Sequence, residues 1–126
     1  MEAIHTSEAP QAIGPYSQAV IHGGTLYISG QIGLDPLTGK FAGEDLQTQT
    51  RQVMANLGAI LRQAGLDYRD VVKCSIFLLD MGRFSEVNEI YATYFEAPHP
   101  ARETVQVSAL PAGAVIEISA IAAVKN

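Results

Sequence analysis

One cysteine, few charges and no long apolar run set the first limits on this chain of 126 residues. With Cys74 alone no internal disulfide can form, which fits a reducing cytoplasm. The apolar runs fall far short of the roughly 18 residues a membrane helix needs, and "MEAIHTSEAP" lacks the basic-then-apolar order of a secretory signal. His5, His22 and His99 have no metal-ligand spacing. Repeats and low-complexity tracts are absent, so a single domain over residues 1–126 is expected, long enough to bury a real core. Charged residues make up 17%, against roughly 25% in soluble domains. Apolar residues make up 48%, more than one small core readily hides, which points to an obligate oligomer. The net charge of −5 offers no general attraction to phosphate backbones and disfavours nonspecific nucleic-acid binding.

What is present divides cleanly. "AVIHGGTLYISGQIG" reads as two strands joined at Gly23-Gly24, and "LDPLTGKFAG" as a turn-rich connection. From about Asp45 to Ala64 the pattern turns helical, with Leu46, Val53, Leu57, Ile60, Leu61 and Ala64 on one stripe and Gly65-Leu66 as a C-terminal cap. A strand follows at about Val71 to Leu79. A second helix is predicted from about Arg83 to Phe95, with Phe84, Val87, Ile90, Tyr91 and Tyr94 inward and Pro98 and Pro100 beyond its end. Strands at "PARETVQV" and "AVIEISAIAAV" complete the order β-β-α-β-α-β-β, an α+β sheet with helices on one face.

Strand alternation then assigns faces. Leu26, Ile28 and Ile32 belong under the helices. Cys74, alternating with Val72, Ile76 and Leu78, reads as a packed thiol. Ser29, Gln31, Lys73, Ser75, Thr104, Gln106, Glu117 and Ser119 fall on the other face, which is poorer in charge than a sheet facing water. Arg102 and Glu117 stand out there. Either they are solvated, or they are partly buried charges beside a subunit contact, where each needs a partner or a ligand.

"IGPYSQAV", "LYISGQIG", "VNEIYATYF", "PAR" and "VIEISAIA", in order and spacing, resemble the reactive intermediate deaminase family, and most closely its RidA-type enamine/imine deaminases. The resemblance spans nearly the whole chain. It implies a chorismate-mutase-like fold, a homotrimer with sheets inward and helices outward, and ligand sites in the clefts between subunits. The implied reaction is hydrolysis of 2-aminoacrylate and 2-aminocrotonate, or of their imine tautomers, to ammonia and 2-oxo acids, with no metal or organic cofactor.

Such a substrate carries a carboxylate, which a planar guanidinium grips with two parallel hydrogen bonds, and Arg102 matches the family's carboxylate-binding arginine. Attacking water must be oriented and relieved of a proton, and Glu117 matches the family's acid. The resemblance also nominates Tyr16, Ser29, Gly30, Asn88 and Thr104 as substrate-binding residues. Each has a plainer reading: Tyr16 as an ordinary packed ring, Gly30 as a β-bulge glycine, Asn88 as a helix residue bracing a loop. Thr104 stands where some relatives carry cysteine, leaving its backbone N–H to contact a ligand. Glu103 follows the arginine where small residues are common, and alternation turns it away from Arg102's face. Two rival functions are a non-catalytic metabolite-binding or chaperone-like trimer, which Arg102 alone would satisfy, and a ribonuclease, which the lack of a basic stripe disfavours.

Overall fold

The computed structural model describes residues 1–125. Its strands are β1 (Glu2–Ile4), β2 (Ala19–His22), β3 (Thr25–Gln31), β4 (Val71–Leu78), β5 (Ala101–Gln106) and β6 (Ile116–Ala123), and its helices are α1 (Leu46–Gln63) and α2 (Phe84–Ala92). One mixed sheet runs in the order β1-β2-β3-β6-β4-β5. Every pairing is antiparallel except β4 with β5, which α2 links as a crossover. Strand β1, three residues on the outer edge of β2, is one strand more than the predicted order.

Local chemistry accounts for the long elements. Gly23 and Gly24 both take positive φ, 59° and 78°, which the tight β2–β3 turn demands. Asp45 caps α1 by accepting the Thr48 N–H at 2.9 Å. Gly65, at φ 77°, closes the helix, with its N–H on the Arg62 carbonyl and the Leu66 N–H on the Leu61 carbonyl, each at 2.9 Å. Helix α2 stops at Ala92 rather than Phe95: the Thr93 hydroxyl donates to the Ile90 carbonyl at 2.7 Å, and the Tyr94 N–H turns tightly back to Tyr91.

The core lies between the helices and one face of the sheet. From α1 it takes Val53, Met54, Leu57, Ile60 and Leu61; from the sheet, Leu26, Ile28, Cys74, Ile76, Leu78, Ile116 and Ile118, all nearly sealed. Each large side chain so placed contributes about 1.5–3 kcal/mol. Buried amides tie loops to this frame. Asn56 donates to the carbonyls of Ile32 and Leu34, and Gln18 grips the segment of residues 6–10 through the backbone of Thr6, Ala9 and Pro10.

Two bulges reset the alternation. Between Val71 and Lys73 the register with β6 shifts, so Val71 turns inward and Val72, expected beside Cys74, is 49% exposed. Between Ile28 and Gln31 a second shift buries Gln31, expected on the open face, and leaves Ile32 only half-buried. The remaining open-face rows run across the sheet as Val20, Tyr27, Ile121, Lys73 and Ala101; as Ser119, Ser75 and Glu103; and as Glu117, Phe77 and Val105.

A further correction concerns β5. The parallel register sets Arg102 beside Cys74, Thr104 beside Ile76 and Gln106 beside Leu78. All three therefore share the helix side of the sheet, not the open face expected for them. A polar edge strand carries no apolar row to show which face meets the helix, and the pairing with β4 decides it.

Candidate active site

Arg102 begins the edge strand next to α2. Its guanidinium donates to the Asn88 side-chain oxygen at 2.8 Å and lies 5.1 Å from the Phe84 ring centroid and 5.0 Å from that of Tyr91. Phe84, Asn88 and Tyr91 stand at i, i+4 and i+7 on α2, hence on one stripe of the helix. Among the described residues Arg102 forms no ion pair with a protein carboxylate. Among the described residues only one of its five N–H donors meets a protein oxygen. This corner also holds the two buried side-chain oxygens that lack a partner among the described residues, the Tyr91 hydroxyl and the Thr104 hydroxyl. Burial raises the proton affinity of Tyr91. It does the same for Cys74, which is 1% exposed and packed as the sequence suggested.

Glu117 belongs to a different surface. It points from β6 to the open face, half-buried, opposite Phe77, and desolvation pushes its carboxyl above the ordinary value of 4.5. The carboxylate rests on the backbone of Gly30. A Cβ built there would lie 2.5 Å from Oε2 and 2.7 Å from Cδ. Gly30 therefore lies in the bulge and forms the floor under the acid. Around Glu117 is a hollow of about 70 Å³, lined in part by Pro10, Ile13, Tyr16, Gln18, Gly30 and Ile32. Tyr16 is 51% exposed at its rim rather than packed in the core. Ser29 fastens the loop that carries Tyr16: its hydroxyl donates to the Ser17 carbonyl at 2.7 Å and its N–H to the Gln18 carbonyl at 2.9 Å.

The candidate residues thus form two groups. Arg102, Asn88 and Thr104 gather on the helix side; Tyr16, Ser29, Gly30 and Glu117 gather on the open side, with β4 between β5 and β6. Neither group has both a carboxylate grip and a base. The hollow at Glu117, about 70 Å³, is far smaller than an ordinary ligand pocket. Glu103 does turn away from Arg102, but onto the face of Glu117. There Lys73 pairs with it at 3.1 Å and the Ser75 hydroxyl donates to it, which lowers its proton affinity. A larger cavity of about 520 Å³, between Tyr68, Tyr94 and Pro98, touches none of the candidates. Among the described residues no three His, Cys, Asp or Glu side chains cluster to hold a metal, and no helix is long and apolar enough to cross a membrane.

Sequence reasoning missed three contributors. Gln18 lines the hollow and braces its wall. Phe84 and Tyr91 were expected to point inward, but not to lie against Arg102; their spacing with Asn88 was the available signal.

Comparison with known proteins places the chain in a family. Residues 6–124 match the family described as Endoribonuclease L-PSP. The chain is 51% identical over 121 residues to the 2-iminobutanoate/2-iminopropanoate deaminase of Mus musculus, covering 96% of this chain and 90% of that one. It is 53% identical over 121 residues to the chloroplastic Reactive Intermediate Deaminase A of Arabidopsis thaliana, covering 96% of this chain and 65% of that longer protein. The crystal structure of YyfA, a Rid-family protein of Yersinia pestis, superposes with a TM-score of 0.95 at 51% identity over 98% of each chain. The ordered motifs, the sheet with its two helices and the match over residues 6–124 all lead to one conclusion: this chain belongs to the endoribonuclease L-PSP, or reactive intermediate deaminase (Rid), family.

Proposed function

We propose that this protein hydrolyses 2-imino and 2-enamino acids of three and four carbons, 2-aminoacrylate/2-iminopropanoate and 2-aminocrotonate/2-iminobutanoate, to 2-oxo acids and ammonia. It acts as a homotrimer of single RidA-like domains, residues 1–126, in a reducing cytoplasm. Each site joins the Arg102 group of one copy to the Glu117 group of another. The observation that carries the reading is Arg102: an arginine held by Asn88 and two rings, unpaired with any protein carboxylate among the described residues. Its guanidinium is exposed with a fork that meets no carboxylate among the described residues, and an imino acid supplies a planar carboxylate that fits that fork. The separation of Glu117 from Arg102 within one protomer, together with the exposed Tyr27 and Val105 on the open face, supports a site completed between copies.

The chemistry follows from these roles. Arg102 fixes the carboxylate and so places C2. Glu117 accepts a proton from water as the oxygen bonds to C2, and returns it to the imine nitrogen as the C=N electrons move there, giving a neutral carbinolamine. Glu117 then takes the proton of the C2 hydroxyl and passes it to the amine nitrogen as the C–N bond breaks, so ammonia leaves and the C2 oxygen becomes a carbonyl. One water is consumed and no electrons are exchanged. A carboxyl whose proton affinity is raised by burial both takes the proton and returns it readily. The ribonuclease reading has less support, because the net charge is −5 and strand binding calls for a basic groove.

Serine dehydratase generates 2-aminoacrylate in place, and pyruvate release with and without this protein tests the activity. Acceleration that scales with protein concentration is expected. No acceleration with either the three- or the four-carbon substrate would favour a binding protein instead. Sedimentation equilibrium should give three times the chain mass, and a stable monomer would remove the intersubunit site.

A further inference from the structure

Tyr91 makes an unusual contact for a core residue. It is 5% exposed and packs against Phe95 with ring centroids 4.7 Å apart, yet its ring also lies 5.0 Å from the guanidinium carbon of the exposed Arg102. A rigid, buried ring thus reaches a side chain that would otherwise wander. An arginine free in solvent loses rotamer entropy when a ligand fixes it, and a cation held near an aromatic ring has given up part of that freedom in advance. One hydrogen bond donated to exposed Asn88 leaves the guanidinium free to swing about that contact. The rings of Tyr91 and Phe84 restrict the swing.

We propose that Tyr91 is a positioning residue that acts through Arg102, its ring presetting the guanidinium for a substrate carboxylate. This rests on the reading of Arg102 as the carboxylate grip. The ring carries the role and the hydroxyl does not, since the ring faces the guanidinium while the buried hydroxyl forms no hydrogen bond to Arg102. Tyr91→Phe keeps the contact with Arg102 and removes an unsatisfied group. Tyr91→Leu keeps an apolar core and removes the π face.

Two measurements on the full-length protein test this. Ring currents should displace the Arg102 guanidinium resonances in ¹⁵N-resolved NMR from those of Arg51 and Arg62, with assignment by their loss in Arg102→Lys. In Tyr91→Leu they should move toward the other arginines, and the Kd for 2-oxobutanoate by calorimetry should rise about 3- to 30-fold. Tyr91→Phe should keep both the resonance positions and the wild-type Kd. Undisplaced Arg102 resonances in the wild type would overturn the proposal even if Tyr91→Leu failed to fold. So would an unchanged Kd in a folded Tyr91→Leu, or a weakened one in Tyr91→Phe. Wild-type protein that neither binds 2-oxobutanoate nor accelerates hydrolysis would instead sink the functional reading, and this inference with it.

Discussion

Replacing Gly30 with alanine should disable Glu117 while leaving the sheet standing. The new Cβ would lie 2.5 Å from Oε2, 2.7 Å from Cδ and 3.0 Å from Cγ of Glu117. Ordinary contacts between such atoms are roughly 3.5–4 Å, so the carboxylate must withdraw by about 1 Å. It is the end of a flexible side chain and can do so at about 0.5–1.5 kcal/mol of rotamer strain. Gly30 is not among the glycines with positive φ, so the backbone admits alanine, and the lost chain freedom of the unfolded state returns about 0.4–1 kcal/mol. Stability should therefore change little and Tm by a few degrees at most. Catalysis is less tolerant: a reacting group misplaced by about 1 Å costs on the order of 10²-fold. The dehydratase-coupled assay under conditions where chemistry limits turnover should show that loss, beside an unchanged oligomeric mass. Gly30→Ala combined with Glu117→Gln should be scarcely worse than Glu117→Gln alone, because both act on one carboxylate. A Gly30→Ala protein with wild-type turnover, or one whose loss simply adds to that of Glu117→Gln, would refute the argument.

Glu117→Gln should slow hydrolysis by about 10²- to 10⁴-fold while calorimetry with 2-oxobutanoate still detects binding; an unchanged rate would make Glu117 a structural acid. Because burial raises this carboxyl above 4.5, the wild-type rate should fall on the acid side with an apparent pKa above 4.5, as the base form is lost. The stability sign is the reverse. The folded carboxyl holds its proton more tightly than the unfolded one, so this group costs nothing below 4.5 and destabilises increasingly as pH rises through its raised pKa. Denaturant titration across pH should show that trend in wild type and its loss in Glu117→Gln. Arg102→Lys should bind 2-oxobutanoate weakly and Arg102→Ala hardly at all, both as intact trimers, since lysine keeps the charge and loses the fork; an alanine variant binding as wild type would end the carboxylate grip. Cys74→Ala should lose about 1–2 kcal/mol of stability from the buried site and keep its turnover; a folded variant without activity would contradict a purely packing role.

What could be read from the sequence was what local chemistry determines. The Gly23-Gly24 turn, the Asp45 and Gly65 caps of α1 and the burial of Cys74 each depend on a few adjacent residues, and each stands in the structure. Alternation worked until a bulge broke it. Val72 and Gln31 were assigned to the wrong faces because a single extra residue slides every side chain beyond it, and only Gly30 gave any warning. The side of the sheet on which Arg102, Thr104 and Gln106 lie depends on a long-range parallel pairing with β4, which no local pattern records. For the same reason the motifs nominated a set of site residues without revealing that one protomer divides them between two surfaces.

The strand order has a consequence for how the molecule comes together. Strand β6, the last in the chain, lies between β3 and β4, and the segments on its two sides have no strand pairing with each other. Until it inserts, the sheet is two separate ribbons whose facing edges at β3 and β4 are open to any passing strand. Its arrival joins them in one long-range step of the kind that slows folding. The same strand carries Glu117, so closing the sheet and setting the acid over Gly30 are a single event, and a chain that has not finished folding has no base to offer.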